Sequence, residues 1–178
     1  GTEAAFNVDW NGSVVLTLEH GEPDSRSPFG ISGRDLVTPF AQVTFDERGF
    51  MKSFKDTDAD RELVGEGYPF NTFLVAEDLP SEWDNWDVDA DLQLKFKDCA
   101  QFKSSEVISK GAVELRIRNK YQITEKSTIT QDVIFYASTP MVKFETVMDW
   151  QDEHRFLKTA FDTSIFNDFV RQEIQFGY

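Results

Sequence analysis

The sequence has one cysteine, few basic residues and no long apolar run, and each shortage excludes a class of structure or partner. Cys99 is the only cysteine among 178 residues, which excludes an intramolecular disulfide and a cysteine zinc cluster. Lysine and arginine total 18 against 32 acidic residues, and this net charge of -14 argues against nucleic acid or an anionic membrane as partner. No stretch approaches the roughly 20 apolar residues of a membrane helix. Residues 1–5 lack the basic start of a signal peptide.

Cys99 is predicted to be a structural thiol rather than a nucleophile. A catalytic cysteine needs a nearby base, and the two histidines, His20 and His154, are both distant from it in sequence. A free cysteine usually behaves as a small buried hydrophobic residue. The lack of disulfides fits a reducing compartment, and we expect a cytoplasmic protein.

The composition is that of a globular domain, with 40% hydrophobic residues and 17 phenylalanines. At 178 residues the chain can bury most of its apolar surface in one core. Residues 21–33 are rich in glycine, proline and serine and predict a loop. We therefore expect a leading strand region and linker at 1–38, which contains this loop, and a main domain at 39–178. Residues 173–176 predict a strand that runs straight into the end of the chain, so we expect a piece of a longer polypeptide.

The dominant hydrophobic period is two, which is typical of half-buried β-strands. The clearest example is 142–150, where alternate residues from Val142 to Trp150 share one face. Shorter strands are predicted at 14–18, 43–45, 50–54, 73–76, 113–117, 129–136, 157–161 and 173–176. Residues 46–49 predict a hairpin turn with Gly49 in the left-handed conformation, and a short helix is plausible only at 165–174. Many short strands separated by turns predict an all-β fold, an antiparallel β-sandwich.

The segment DLPSEWDNWDVD at 78–89 contains two of the four tryptophans, each followed by an aspartate. Trp83 and Trp86 can pack under a loop while the acids point to water, because buried aromatic residues usually serve packing. The same rings can instead be offered to a ligand that binds both aromatic faces and carboxylates, as sugars do. The residues alone leave both interpretations open.

The groups that could perform chemistry form no recognisable constellation. Hydrolysis of a sugar needs two carboxylates roughly 5 to 9 Å apart, and Asp84 with Asp87 is only a weak candidate pair among 32 acids. Residues 149–154 place three acids beside His154, which favours a solvated turn over a metal site because zinc usually takes more nitrogen or sulfur ligands. The sequence has no phosphate-binding glycine loop, dinucleotide fingerprint or nucleophile elbow.

Two motifs in order resemble the C-terminal β-domain of glycoside hydrolase family 38, the α-mannosidases, and most closely the bacterial and cytosolic type. The first is the segment at 78–89. The second is D-W-x-x-x-H-x-x-L-K-x-x-F at 149–161, followed by EIQFG at 173–177. Residues 43–63, with an F-D-E-x-G turn and the run D-R-E-L, are similar to the start of that domain. The resemblance covers roughly residues 39–178.

This resemblance implies a mutarotase-like supersandwich that packs against a catalytic half. Family members are retaining exo-α-mannosidases that use an aspartate nucleophile, a carboxylic acid–base and a divalent metal, usually zinc. Those groups belong to a region that no stretch here matches, so the resemblance implies no catalytic residue, metal ligand or cofactor in this chain. It implies the catalytic half of the same polypeptide as partner, and an α-mannoside bound through the parent enzyme. Because family members continue past the position of Tyr178, it also implies a sandwich truncated at its C-terminal edge.

The resemblance makes five residues of the first motif candidates for the wall facing the catalytic half, or for the rim of its sugar cleft: Trp83, Asp84, Trp86, Asp87 and Asp89. The alternative is that both tryptophans fill the core while Asp84 and Asp87 bond loop amides. Trp150 is expected in the core. Glu153 and His154, in the turn after it, are expected to form either a buried link with each other or an interdomain contact.

Three functions follow from these residues and this resemblance. The first is a non-catalytic β-sandwich domain that supports the active-site half of an α-mannosidase. The second is a carbohydrate-binding module with Trp83 and Trp86 as a stacking platform, which requires exposed rings. The third is an interaction or scaffold domain without a sugar role, which requires a sizeable apolar surface patch.

Overall fold

The computed structural model describes residues 26–83, 86, 88–171 and 175, together with residues 8, 12, 13, 15 and 17. The regular secondary structure of the described residues is nearly all β-strand, as predicted. The strands are β1 Gly30–Ser32, β2 Asp35–Val37, β3 Ala41–Phe45, β4 Met51–Asp56, β5 Arg61–Glu62, β6 Thr72–Glu77, β7 Lys97–Asp98, β8 Gln101–Lys110, β9 Glu114–Gln122, β10 Thr128–Tyr136, β11 Val142–Asp149 and β12 Arg155–Ala160. A 3-10 helix at Ala90–Leu94 lies between β6 and β7. None of the helices in the described ranges has the length and hydrophobicity that crossing a bilayer requires.

The strands form three antiparallel sheets that pack as a β-sandwich. Their strand orders are β1-β2-β3-β4-β5, β11-β10-β9-β8 and β12-β6-β7. The four-stranded sheet packs against both of the others. One core cluster joins Leu36 and Val43 to Val133, and the second joins Phe73 to Tyr121. Burial of these apolar faces is the main stabilising term, as in any sandwich of half-buried strands.

A row of polar side chains crosses the four-stranded sheet between the two core clusters. Ser105, Asn119, Gln131 and Thr146 are register partners on β8, β9, β10 and β11. Gln131 Oε1 accepts from Asn71 Nδ2 at 2.6 Å, and Gln131 Nε2 donates to Thr146 Oγ1 at 2.9 Å. Because a buried amide is costly without partners, this polar row fixes how the layers align.

Most predicted strands are confirmed within a few residues, including those around 43–45, 129–136 and 157–161. The hairpin turn between β3 and β4 is also confirmed. Gly49 has a φ of 79°, and Asp46 Oδ1 accepts from the backbone N–H groups of Arg48 and Phe50, each at 2.9 Å. The predicted strands at 14–18 and 173–176 lie mainly outside the described residues.

Several local expectations differ from the structure. The described part of the expected helix, residues 165–171, contains no helix. The predicted loop at 21–33 includes β1, which pairs with β2, and β2 in turn pairs with β3 in the same sheet. On β11 the expected alternation of burial holds only over Val142–Phe144, and residues 146–149 are all exposed on this edge strand.

The longest strand, β8, was not predicted. Two bulges shift its register against β9, one between Phe102 and Ser104 and the other between Val107 and Ser109. A bulge inserts one residue and exchanges the two faces of the strand. The period-two pattern of hydrophobic residues is therefore interrupted twice, so the sequence does not show the alternation that would predict a strand here.

Candidate functional site

The two sequence motifs lie at one end of the three-stranded sheet. β6 ends and β12 begins at this end of the sheet, with Arg155 opposite Glu77 in antiparallel register. The backbone N–H of Asp78 donates to the carbonyl of His154 at 2.9 Å. The loop at 78–89 and the turn at 151–154 thus form one surface, which we call the tryptophan-loop end.

Both tryptophan rings at this end are exposed to solvent. Trp83 is 71% exposed and Trp86 is 90% exposed, so the expectation that they fill the core is wrong. The Trp86 N–H donates to the Trp83 carbonyl at 2.8 Å in a tight turn. Trp83 has a φ of 60°, a left-handed conformation that is uncommon for a bulky residue and that recurs in turns and at functional sites.

Asp89 closes the loop that carries these rings. Its Oδ2 accepts from the backbone N–H of Ser81 at 3.2 Å, and its carbonyl accepts from the N–H of Leu92 at the start of the 3-10 helix at 3.0 Å. Asp89 therefore bonds a loop amide, the role that was expected of Asp84 and Asp87. Asp84 and Asp87 lie outside the described residues.

The turn between β11 and β12 presents Glu153 and His154 to solvent. Both residues are exposed, so the expected buried link between them is wrong. An interdomain contact stays a prediction. His154 has a φ of 52°, so this turn, like the tryptophan turn, contains a non-glycine residue in the left-handed region. Loops that a rigid scaffold holds in uncommon conformations often carry contact residues, and Trp83 and His154 place two such positions at one end of this sheet.

Asp152 anchors this turn, a role that the sequence did not reveal. The hydroxyls of Ser127 and Thr124 donate to the Asp152 carboxylate and hold its pKa below the ordinary value. The Gln151 N–H donates to Ser127 Oγ at 2.9 Å. Within the described part of the chain, no three histidine, cysteine or acidic side chains converge as metal ligands.

Lys158 ties the segment after the tryptophan loop to β12. Its ammonium lies 4.6 Å from the centre of the Phe96 ring and 5.8 Å from that of Phe156. Its Nζ also donates to Gln93 Oε1 at 3.3 Å. Strand alternation places Phe156 and Lys158 on one face, but no sequence signal could have brought Phe96 to them.

The remaining predicted residues have structural roles. Trp150 is half-buried and packs against the second core cluster, as expected. Cys99 is exposed, so the expected burial of this residue is wrong, although its Sγ donates to the carbonyl of Ile123 at 3.4 Å. Partial burial, with the nearby Asp98 carboxylate, raises the pKa of the Cys99 thiol. A raised pKa disfavours the thiolate and argues against a nucleophile.

Comparison with known proteins gives one consistent family. Residues 36–178 match the model described as glycosyl hydrolases family 38 C-terminal domain. The chain is 31% identical over 138 residues to alpha-mannosidase 2C1 of Mus musculus and 30% identical to that of Homo sapiens, a match of 77% of this chain and 13% of each relative. It is 28% identical to the alpha-mannosidase of Saccharomyces cerevisiae over 70% of this chain and 12% of that protein. The chain thus spans about an eighth of the length of these relatives.

The family match includes both motifs of the tryptophan-loop end and all of β3 to β12. The chain belongs to the glycosyl hydrolase family 38 C-terminal domains.

Proposed function

We propose that this chain is a non-catalytic β-sandwich domain of a retaining α-mannosidase, and that its tryptophan-loop end contacts the catalytic half of the same polypeptide. The observation that carries this proposal is the exposure of Trp83 and Trp86 beside Glu153 and His154 on one rigid end of the sandwich. Large aromatic residues are enriched at the centres of interfaces because they bury much area at little entropic cost. Asp89 holds the loop in place and belongs to the same surface.

The substrate and cofactor belong to the parent enzyme in this proposal. The relatives are named alpha-mannosidases, which supports α-mannosides as the substrate class. A divalent metal, zinc in the family pattern, would be held by the catalytic half. We propose a cytoplasmic location, because a chain with a single cysteine fits a reducing compartment. Neither nucleic acid nor a membrane is proposed as partner, because the charge of -14 disfavours both anionic surfaces.

An activity assay tests the non-catalytic role. The chain by itself is incubated with an aryl α-mannoside, with and without zinc, and we expect release of the aryl group at the rate of the blank. Turnover above the blank that is lost on heat denaturation would overturn the proposal.

A binding experiment tests the contact surface. The catalytic half is titrated into the chain by calorimetry, and Trp86→Ala is expected to weaken association by about tenfold or more, as for a central aromatic residue. Val147→Ala is the matched control, because Val147 is 72% exposed but lies on the edge strand β11. Equal weakening by both variants would show that the tryptophan loop has no special part in the contact.

Kinetics of the assembled enzyme distinguish a loop that faces the catalytic half from a loop that lines the rim of the sugar cleft. If the loop lines the sugar cleft, Trp86→Ala raises KM for the α-mannoside while association with the catalytic half is unchanged. If the loop only faces the catalytic half, association weakens while KM is unchanged in the enzyme that remains assembled. A variant that alters neither quantity contradicts both roles.

Exposure of the two rings also favours the carbohydrate-binding module as a second candidate. A stacking platform needs accessible aromatic faces, which Trp83 and Trp86 have. Titration with mannose or mannobiose would then shift the tryptophan fluorescence, and Trp86→Ala would abolish the shift. Trp150→Phe is the control, since the half-buried Trp150 contributes fluorescence without offering a face. A flat titration removes this candidate.

The scaffold without a sugar role is supported by other exposed apolar residues. Phe166, Phe169 and Val170 are each more than 80% exposed, and exposed apolar surface of this kind is typical of interfaces. This candidate predicts that Phe166→Ala weakens association more than Trp86→Ala does, and that neither alters KM. The reverse order would favour the tryptophan-loop end.

A further inference from the structure

The strand β11 lies at one edge of the four-stranded sheet. It pairs with β10 along its whole length, from Val142 opposite Phe135 to Asp149 opposite Thr128. On its other side β11 has no strand neighbour among the described residues. In an antiparallel pair every second residue directs its N–H and C=O away from the partner strand. Alternate residues of β11 therefore direct these groups toward the open side of the sheet.

The other edge strands of the described residues are blunted in ways that β11 is not. β1, β5 and β7 have only two or three residues, β8 has two bulges, and the short strand β12 carries Arg155 and Lys158. Short length, bulges and basic side chains are devices that keep an edge strand from pairing. β11 has eight residues without a bulge or a proline, and Lys143 is its only basic residue. Within the described part of the chain, β11 is thus the edge best suited to accept another strand.

The second half of β11 is exposed on both faces of the sheet. Val147 lies on the outer face, opposite Thr130, and is 72% exposed. Met148 lies on the face of the core, opposite Ile129, and is also exposed. A neighbouring strand would cover apolar side chains on both faces, because cross-strand neighbours contact each other on each side of a sheet.

The sequence of β11 is complementary to itself. Directly opposite residues of an antiparallel pair point to the same side of the sheet, so two copies of one strand must pair about a residue rather than about a peptide bond. Pairing centred on Thr146 places Lys143 of each copy opposite Asp149 of the other. Opposite charges in this position are stabilising. The other residues that become opposite are Phe144 with Met148 and Glu145 with Val147.

Pairing about the neighbouring residues is less favourable. A centre at Glu145 sets this carboxylate against its own copy, and a centre at Val147 sets it against Asp149. Like charges directly opposite each other are destabilising. A centre at Phe144 overlaps only residues 142–146, whereas the centre at Thr146 overlaps residues 143–149. The charges and the overlap therefore favour one register.

Lys143 and Asp149 can form this contact without losing their present ones. The Lys143 ammonium is 2.6 Å from Glu145 Oε1, and half of its side chain is exposed. Asp149 Oδ1 accepts from Gln151 Nε2 at 2.6 Å at the surface. An ammonium has three donors and a carboxylate has about four acceptor positions, so both groups can bind a further partner.

We propose that β11 pairs with β11 of a second copy of this chain, antiparallel and centred on Thr146, in a dimer with two-fold symmetry. The two-fold axis repeats the contact between Lys143 and Asp149 and joins the two four-stranded sheets into one continuous sheet. Main-chain hydrogen bonds give such a strand pair its affinity, and the side chains select the register. The dimer uses no residue of the tryptophan-loop end, so it is independent of a contact with a catalytic half.

Sedimentation velocity of the whole chain tests this dimer. The net charge of -14 on each copy opposes association, so the measurement is made at physiological salt, where this repulsion is screened. The chain should be a monomer at low concentration and a dimer at high micromolar concentration. Lys143→Glu places two acids opposite each other at both contacts and should raise the Kd of the dimer about tenfold or more.

Charge exchange separates the pairing from the effect of net charge. Asp149→Lys makes the chain less negative, yet it should weaken the dimer as Lys143→Glu does, because two lysines become opposite. The double variant with both changes should recover the affinity of the unaltered chain. Lys103→Glu, on the bulged edge strand β8, changes the net charge as Lys143→Glu does and should leave the Kd nearly unchanged.

All three positions are exposed, so these variants are compatible with folding, which circular dichroism verifies. A chain that stays monomeric, a dimer that Asp149→Lys strengthens, or a folded double variant that does not recover association would each overturn the proposal. If the chain stays monomeric and the catalytic half slows hydrogen exchange at the amides of β11, this edge pairs with the catalytic half instead.

Discussion

Aromatic and acidic side chains serve opposite purposes in the middle of the sandwich and at the tryptophan-loop end. In the middle, the Phe50 ring stacks on Tyr121 at 5.3 Å, and Asp132 is held by two arginines while only 5% exposed. At the loop end, Trp86 is 90% exposed and Asp89 bonds a single loop amide. The same residue types therefore stabilise the fold in one region and remain available for contact in the other. Substitutions should accordingly affect folding in the middle and binding at the end.

The largest expected effect is on the aromatic core. Phe50 is 0% exposed, and its ring packs edge-on to Phe73 at 5.8 Å as well as on Tyr121. Phe50→Ala should lower the free energy of unfolding by about 3–5 kcal/mol through lost burial and a cavity, measured by urea denaturation. Phe166→Ala, at a position 95% exposed, is the control and should change it by less than about 0.5 kcal/mol. Similar costs for both would contradict the proposed difference between the regions.

The second effect concerns the ion pairs on β9 and β10. Arg118 binds Asp132 with two nitrogens at 2.7 and 2.9 Å, and Arg116 Nη1 donates to it at 3.0 Å. Asp132→Asn should cost about 2 kcal/mol, less than a fully buried pair because both arginines keep contact with water. Asp89→Asn makes the same chemical change at the loop end and should cost less than about 0.5 kcal/mol, since the amide oxygen still accepts from Ser81. Equal costs in urea denaturation would remove the distinction.

The pH dependence of stability gives a third test. Arg118, with Arg116, lowers the pKa of Asp132 below its ordinary value of 3.8. A carboxylate whose folded-state pKa is lowered stabilises the fold above its unfolded-state pKa, and this stability is lost as pH falls. The stability difference between the unaltered chain and Asp132→Asn should therefore be constant above about pH 5 and shrink below about pH 3.8. A difference that grows on acidification would show that the pKa of Asp132 is raised.

A fourth and smaller effect is expected at Lys158. Its contacts with Phe96 and Phe156 hold the segment after the tryptophan loop against β12. Lys158→Met should cost about 0.5–1 kcal/mol, the usual size of an exposed cation–π contact, and should speed amide hydrogen exchange at residues 92–96. Lys95→Met removes only the surface pair with Asp91 and serves as control. Unchanged exchange in Lys158→Met would show that this contact does not position the segment.

The sequence predicted the sheets better than it predicted the site. Strands such as β10 show a period of two, and a hairpin turn such as 46–49 needs only local residues. The two bulges of β8 and the approach of Phe96 to Lys158 depend on register and long-range packing, which no local pattern encodes. The exposure of Trp86 is of the same kind, because a ring next to acidic residues is compatible with either packing or contact until its neighbours are known.

The smallest effect on folding is expected where the proposed effect on binding is largest. Trp86→Ala removes a ring that is 90% exposed, so the free energy of unfolding should change by less than about 0.5 kcal/mol. Trp150→Ala, at a ring that packs against the second core cluster, should cost about 2 kcal/mol or more, less than a fully buried tryptophan because Trp150 is only half-buried. Urea denaturation of the two variants compares the same substitution at both locations. A large loss of stability in Trp86→Ala would mean that the ring packs against the domain itself. The loop would then belong to the core and would not be a surface available to a partner.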